Sequence, residues 1–155
     1  MSQPNGKPAD AMLGLLRTQR TGVLVTLKRS GRPQLSNVSF TYDEATRLIR
    51  VSATDDRAKT RNLRREPRAS FYVTSPDHLA YLVVEGDAVV TPVAADPHDA
   101  TVDELVEVYR AIAGEHPDWD EYRAAMVADG RLVISLRADH VYGLGPAGPY
   151  SGPPA

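Results

Sequence analysis

The residues of this chain best suited to chemistry lie in one stretch, TDDRAKTRNLRREPRAS, residues 54–70. Six basic side chains (Arg57, Lys59, Arg61, Arg64, Arg65 and Arg68) stand there against a single acid between them, Glu66. Asp55 or Asp56 can cap a helix running from about Ala58 to Arg65, which Pro67 stops. Arg57 and Lys59 then sit at or just before the helix start, where backbone N–H groups already attract anions. Helix starts favour acids, so cations at this end are unfavourable unless an anion lies among them. Thr60 adds a hydroxyl donor, and Arg61 falls one turn beyond Arg57 on the same face. Together these residues can cradle a phosphate, with arginine supplying a planar fork and lysine a point charge. Taken alone, the segment also reads as a solvated helix whose charges serve only solubility.

Other chemistries find little support. GLGPAG (143–148) matches the dinucleotide fingerprint letter for letter, but that fingerprint needs a strand leading through the glycines into a helix. Pro146 and Pro149 forbid the helix, so the string reads as part of a loose tail. The absence of cysteine removes disulfides, thiolate metal sites and cysteine nucleophiles together, and suits a reducing, cytoplasmic setting. His78, His98, His116 and His140 are too scattered for a metal site. Neither a GxSxG elbow nor a Walker loop is present.

The elements that must position the basic stretch follow from periodicity. Asp10 can cap a short helix to about Arg17, after ten polar residues expected to be loose. GVLVTLKR (22–29), QLSNVSFTY (34–42) and RLIRVSA (47–53) read as a three-strand meander with short turns. After the basic helix come strands at 69–75 and 80–93, the longer one with a bend at Gly86-Asp87. Helices from Asp99 to Ile112 and from Asp118 to Val127 precede a final strand, 131–145. The tail from Pro146 is rich in proline and glycine and is expected to be flexible.

The whole is one domain: 155 residues, 42% hydrophobic, 25% charged, with a formal net charge of -2. Near-neutrality argues against a general nucleic-acid binder. The charge is nonetheless divided, because Asp99 to Asp129 holds nine acids against Arg110 and Arg123. No apolar run approaches the ~20 residues of a membrane span, and MSQPNGKPAD lacks the apolar stretch of a signal peptide.

Four strings, GVLVTLKRSGRPQLSNV, RVSATDDRAKTRNLRREPRAS, EGDAVVTP and GEHPDWDEYR, resemble the pyridoxamine 5′-phosphate oxidase-like family. They are most similar to its actinobacterial branch that uses the deazaflavin coenzyme F420 in place of FMN. The resemblance runs from about Leu13 to Leu144. It implies a mainly β fold with peripheral helices, a six-stranded antiparallel split β-barrel, paired as a homodimer with two cofactor sites at the interface. By position, Arg57 and Lys59, with Thr60 and Arg61, hold the cofactor phosphate. Gln34, Ser36 and Asn37 line the ring system and ribityl chain, and Val51 and Ser52 flank the ring. Tyr81 and His140 approach from the partner subunit. Leu79 stands where relatives in this branch can carry a tryptophan beside the pocket.

The resemblance implies an oxidoreductase that transfers a hydride between the deazaflavin and a small organic acceptor. No catalytic residue and no metal is assigned. Such chemistry needs no nucleophile, because the cofactor carries it and the protein supplies position and exclusion of water. An FMN-dependent oxidase or reductase on the same fold is the nearest alternative. A non-catalytic F420 carrier and a nucleic-acid module built on residues 57–68 are the others.

Overall fold

Apolar side chains alternate with polar ones along most of this chain, and a sheet with one buried face satisfies that pattern. The computed structural model describes residues 8–154. They form α1 (Pro8–Thr18), β1 (Thr21–Leu27), β2 (Pro33–Ser39), β3 (Thr41–Asp43), β4 (Leu48–Thr54), α2 (Ala58–Arg65), β5 (Arg68–Thr74), β6 (Tyr81–Asp87) and β7 (Val89–Val90). Then follow α3 (Ala100–Ala113), α4 (Trp119–Ala128), β8 (Arg131–Arg137), β9 (His140–Gly145) and β10 (Gly148–Gly152). The strands make two antiparallel sheets, one of six in the order β10-β9-β6-β5-β1-β2 and one of four in the order β3-β4-β8-β7.

This is mainly β with peripheral helices, but it has more strands than the six expected of one barrel. The difference lies in the tail, which adds β10, and in three stretches read as single strands. The stretch 34–42 breaks at Phe40, 80–93 breaks at Ala88, and 131–145 breaks at Ala138-Asp139. Each break passes the chain from one sheet to the other. Ala88 leaves the ladder by donating its N–H to the Pro67 carbonyl, and Ala138 donates to the Arg47 carbonyl, each at 2.8 Å. The expected bend at Gly86-Asp87 is thus a change of sheet.

The main core lies between the sheets. Leu24, Phe71, Val73, Leu82, Val84 and Val141 point in from the larger sheet, and Ile49, Val51, Ala53, Leu132, Ile134 and Leu136 from the smaller. Phe40, at the corner between β2 and β3, meets Phe71 edge to face at 4.8 Å between ring centres. Met12, Leu13 and Leu16 of α1 join the same core. A second core forms where α3 and α4 cover the outer face of β8, with Val102, Leu105, Val106 and Met126 around Val133. Strand β8 is therefore buried on both faces.

Both acidic helices start as the sequence suggests, with Asp99 accepting from the Val102 N–H and Asp118 from the Glu121 N–H. Helix α1 begins at Pro8, ahead of the start expected at Asp10; of the ten residues expected to be loose, 1–7 lie outside the described residues. The tail departs from expectation more plainly. Gly148, at φ 100°, turns the chain so that β10 pairs with β9 instead of trailing loose. Tyr150 packs against the main core and donates its hydroxyl to the Pro153 carbonyl at 2.6 Å.

Strand β9 approaches β6 so closely that a Cβ on Gly143 would lie 2.1 Å from the Tyr81 carbonyl oxygen. Backbone must shift to admit it. Gly143→Ala is expected to lower stability by about 1–3 kcal/mol, read as a fall in the urea midpoint at unchanged slope.

Candidate anion and cofactor site

Helix α2 bridges the sheets, running from the end of β4 in the smaller to the start of β5 in the larger. Leu63 anchors it in the core. Its polar residues are fastened as well. Thr60, fully buried, donates its hydroxyl to the Thr54 carbonyl at 2.9 Å. Buried Asn62 donates its amide to Thr26 Oγ1 at 3.1 Å and to Gln34 Oε1 at 2.6 Å. Arg65 reaches the Leu27 carbonyl at 2.7 Å and Asn62 Oδ1 at 3.2 Å. The helix start is thereby held in register against β1, β2 and β4.

That start borders a cleft of about 350 Å³ lined by Ser36, Asn37, Ser52, Ala53, Thr54, Arg57, Lys59 and Arg131. The helix has no side-chain cap and no acid in its first turn. Asp55 pairs instead with Arg64, and Asp56 accepts from the Thr54 hydroxyl at 2.7 Å. Neither caps α2, contrary to the sequence reading.

Tertiary structure sorts the basic segment into two groups. Arg64 and Arg68 are paired with Asp55 and Glu66, and Arg65 is bound to backbone and Asn62. Among the described residues no carboxylate lies within ion-pair distance of Arg57, Lys59 or Arg131. Burial, and then the Arg57 and Arg131 charges, push the Lys59 ammonium below its ordinary value. Cations gathered without an acid, beside neutral hydroxyls, fit an anionic group such as a phosphoryl.

Of the residues inferred from sequence, Ser36, Asn37, Ser52, Arg57 and Lys59 come together in this cleft. Gln34 stands beside them on β2, its carbonyl oxygen held by Asn62. Three others are placed differently. Val51 points into the main core at 3% exposure, because alternation along β4 turns Ser52, not Val51, outward. The Thr60 hydroxyl is used to fasten the helix. Arg61 lines a separate groove with Arg29, Arg64 and Arg65. Arg57 has extended backbone (φ −72°, ψ 145°), so the helical spacing that put it on one face with Arg61 does not apply. Tyr81 and His140 lie away from the cleft, on the outer face of the larger sheet. Tyr81 is beside Tyr72, and His140 is 3.7 Å from Glu85. Arg131 was not found from sequence; an arginine opening a strand carries no local mark, and its pairing opposite Thr54 on β4 brings it to the cleft.

Sulfate stays doubly charged through the alkaline range, so its binding isolates the protein's own titration. Its affinity is expected to fall as pH rises through the Lys59 pKa, which lies below the ordinary lysine value of 10.5. The sulfate-free protein should gain stability across the same window, because the unfolded chain there binds more protons than the native one. Calorimetric titration and urea unfolding against pH read the two effects, and Lys59→Arg should remove both.

The fold resembles those of several solved proteins. One is described as an F420 reductase, at 26% identity over 83% of this chain and 93% of that one, with a TM-score of 0.56. A heme binding protein from Mycobacterium smegmatis aligns at 21% identity and TM-score 0.70, over 97% of this chain but 60% of its own length. A pyridoxamine 5′-phosphate oxidase-related, FMN binding protein from Nostoc punctiforme aligns at 19% identity and TM-score 0.61, over 96% and 88%. The family description pyridoxamine 5′-phosphate oxidase matches residues 8–145, which hold every element except β10. By that match the chain belongs to the pyridoxamine 5′-phosphate oxidase family.

Proposed function

We propose that this protein is an F420-dependent oxidoreductase that exchanges a hydride between the deazaflavin and a small organic acceptor. The observation that carries the reading is the convergence of Arg57, Lys59 and Arg131, unpaired with any described carboxylate, on one cleft. When bound, the deazaflavin supplies two-electron chemistry that asks no metal, thiol or nucleophile of the protein. Arg57 and Lys59 hold its phosphoryl group. Ser36 and Ser52 offer hydroxyls along the wall, and Gln34, fixed by Asn62, keeps its amide N–H groups for the ligand. Asn37 also borders a shallow groove on the outer face, with Gly22, Val23 and Tyr72. A ligand anionic at one end and flat at the other is served by this continuity. Positioning of donor and acceptor is the protein's main contribution to rate.

FMN also carries a phosphoryl group on a ribityl chain, and the same cleft suits it. Titration of F420 and FMN, followed by fluorescence, separates the two. Micromolar F420 binding that exceeds FMN binding, with a loss of about 1–3 kcal/mol in Lys59→Ala, is the expected result. Preference for FMN would move the protein to flavin chemistry. Tight F420 binding without turnover on quinones or enones would make it a carrier.

A homodimer belongs to the same proposal. Tyr81 and His140 do not line the cleft of their own chain, so a second copy is the means by which they reach one. The outer face of the larger sheet carries Leu35 on β2 and Tyr142 and Leu144 on β9, exposed at 64%, 38% and 37%. A monomer seldom leaves so apolar a sheet face to water. Light scattering should give twice the 16.9 kDa chain mass, and the double substitution Leu35→Asp with Leu144→Asp should give a single copy that has lost F420 affinity.

A further inference from the structure

We infer that Arg131 is a direct ligand of the bound anion, closing the cleft from the wall opposite α2, and that its charge is kept in place for that purpose at a cost to the empty protein. The inference rests on the reading of the cleft as a phosphoryl site and adds a residue from a strand in a distant part of the chain.

Four observations carry it. Arg131 opens β8, its Cα paired with that of Thr54, the last residue of β4 before the turn into α2. It therefore faces Arg57 and Lys59 across the cleft that all three line. Its Nε is buried and has no hydrogen-bond partner, and Nη1 makes only a long 3.5 Å contact with Ser52 Oγ. A buried guanidinium N–H without an acceptor is costly, and a serine hydroxyl at that distance offsets little of it. No described carboxylate balances the charge; Arg137, at the other end of the same strand, reaches Asp139 at 4.0 Å. Finally, the Arg131 charge lowers the pKa of Lys59, which lines the same cleft.

An arginine kept only for structure would make hydrogen bonds in the empty protein. Arg50, on neighbouring β4, also has a buried Nε without a partner, but its charge is balanced: it donates to Glu107 at 2.9 Å and so ties α3 to the sheet. Arg131 has the burial of a structural arginine without those partners. An oxyanion in the cleft supplies the missing acceptor, and the planar fork can meet two of its oxygens at once. With Arg57 and Lys59 at the start of α2 and Arg131 at the start of β8, the anion is held by cations from two separate parts of the chain.

The two roles predict opposite signs. Arg131→Met removes the charge and the orphaned donor while keeping most of the apolar stem. In the absence of anion this variant should melt at or above the wild-type temperature. Its sulfate affinity should fall about tenfold or more, as for loss of a charge-assisted contact. Arg131→Lys, which keeps the charge but not the fork, should lose less. F420 affinity should follow the same order, whereas that of its phosphate-free chromophore should stay within about twofold across all three proteins. A destabilised Arg131→Met that still binds sulfate like the wild type would overturn the inference, as would Arg131→Lys with unchanged affinity should the methionine variant not fold. Wild-type protein that binds neither sulfate nor F420 would instead overturn the phosphoryl reading of the cleft, and with it this one.

Discussion

Helix α2 is held by its polar side as firmly as by its apolar side, and the arrangement of the site follows from that. An eight-residue helix is too short to be stable alone, and a single leucine in the core gives little control over its rotation. The hydroxyl of Thr60 and the amide of Asn62 supply the control. Both are buried, so releasing either would leave a polar group without a partner inside the protein. The helix can occupy one orientation only, and in it the uncapped first turn with Lys59 is presented to the cleft.

The location of the cleft follows from the way the sheet divides. Chain segments pass from one sheet to the other at Phe40, Ala88 and Ala138, which leaves a seam bordered by β2 of the larger sheet and β4 and β8 of the smaller. Edge strands expose unpaired backbone and are ordinarily covered or blunted. Here the seam is bridged by α2, and the side chains along it are small and polar: Ser36, Ser52 and Thr54. They leave room for a ligand, and the cations stand around that room. The fold of this chain is in this sense a frame for a charged gap between two sheets.

Electrostatic sorting gives the gap its character. The basic segment is not a uniform patch, since Arg64, Arg65 and Arg68 are spent on Asp55, Leu27, Asn62 and Glu66. What reaches the cleft is a smaller set, drawn from α2, its leading residue and a strand more than sixty residues away. Burial, and after it the charges of Arg57 and Arg131, holds the Lys59 pKa below the ordinary lysine value. The acidic helices, by contrast, use several of their charges locally: Asp99 and Asp118 cap, Glu107 holds Arg50, and Asp103 holds Arg123.

Local physics was legible in the residues themselves. Proline, alternation and the acids that open α3 and α4 located the helices and most strands to within a few positions, because each of those signals acts over one turn or one pleat; the acids expected to cap α2 do not. The cationic stretch likewise suggested an anion site, and of its residues Arg57 and Lys59 line the cleft. What the residues alone could not reveal were relations across the fold. Val51 and Ser52 differ only in which side of β4 faces the core. Thr60 reads as a donor to a ligand until the Thr54 carbonyl is found above it, and Arg61 reads as a neighbour of Arg57 until the backbone there proves extended. The tail reads as loose until β9 offers a free edge for Gly148–Gly152. Arg131 had no local signal whatever, since its meaning comes from the strand opposite and from the missing acceptor at its Nε. Propensity and pattern are properties of neighbours in the chain; pairing, burial and the balance of charge are properties of neighbours in space, and only the folded protein decides those.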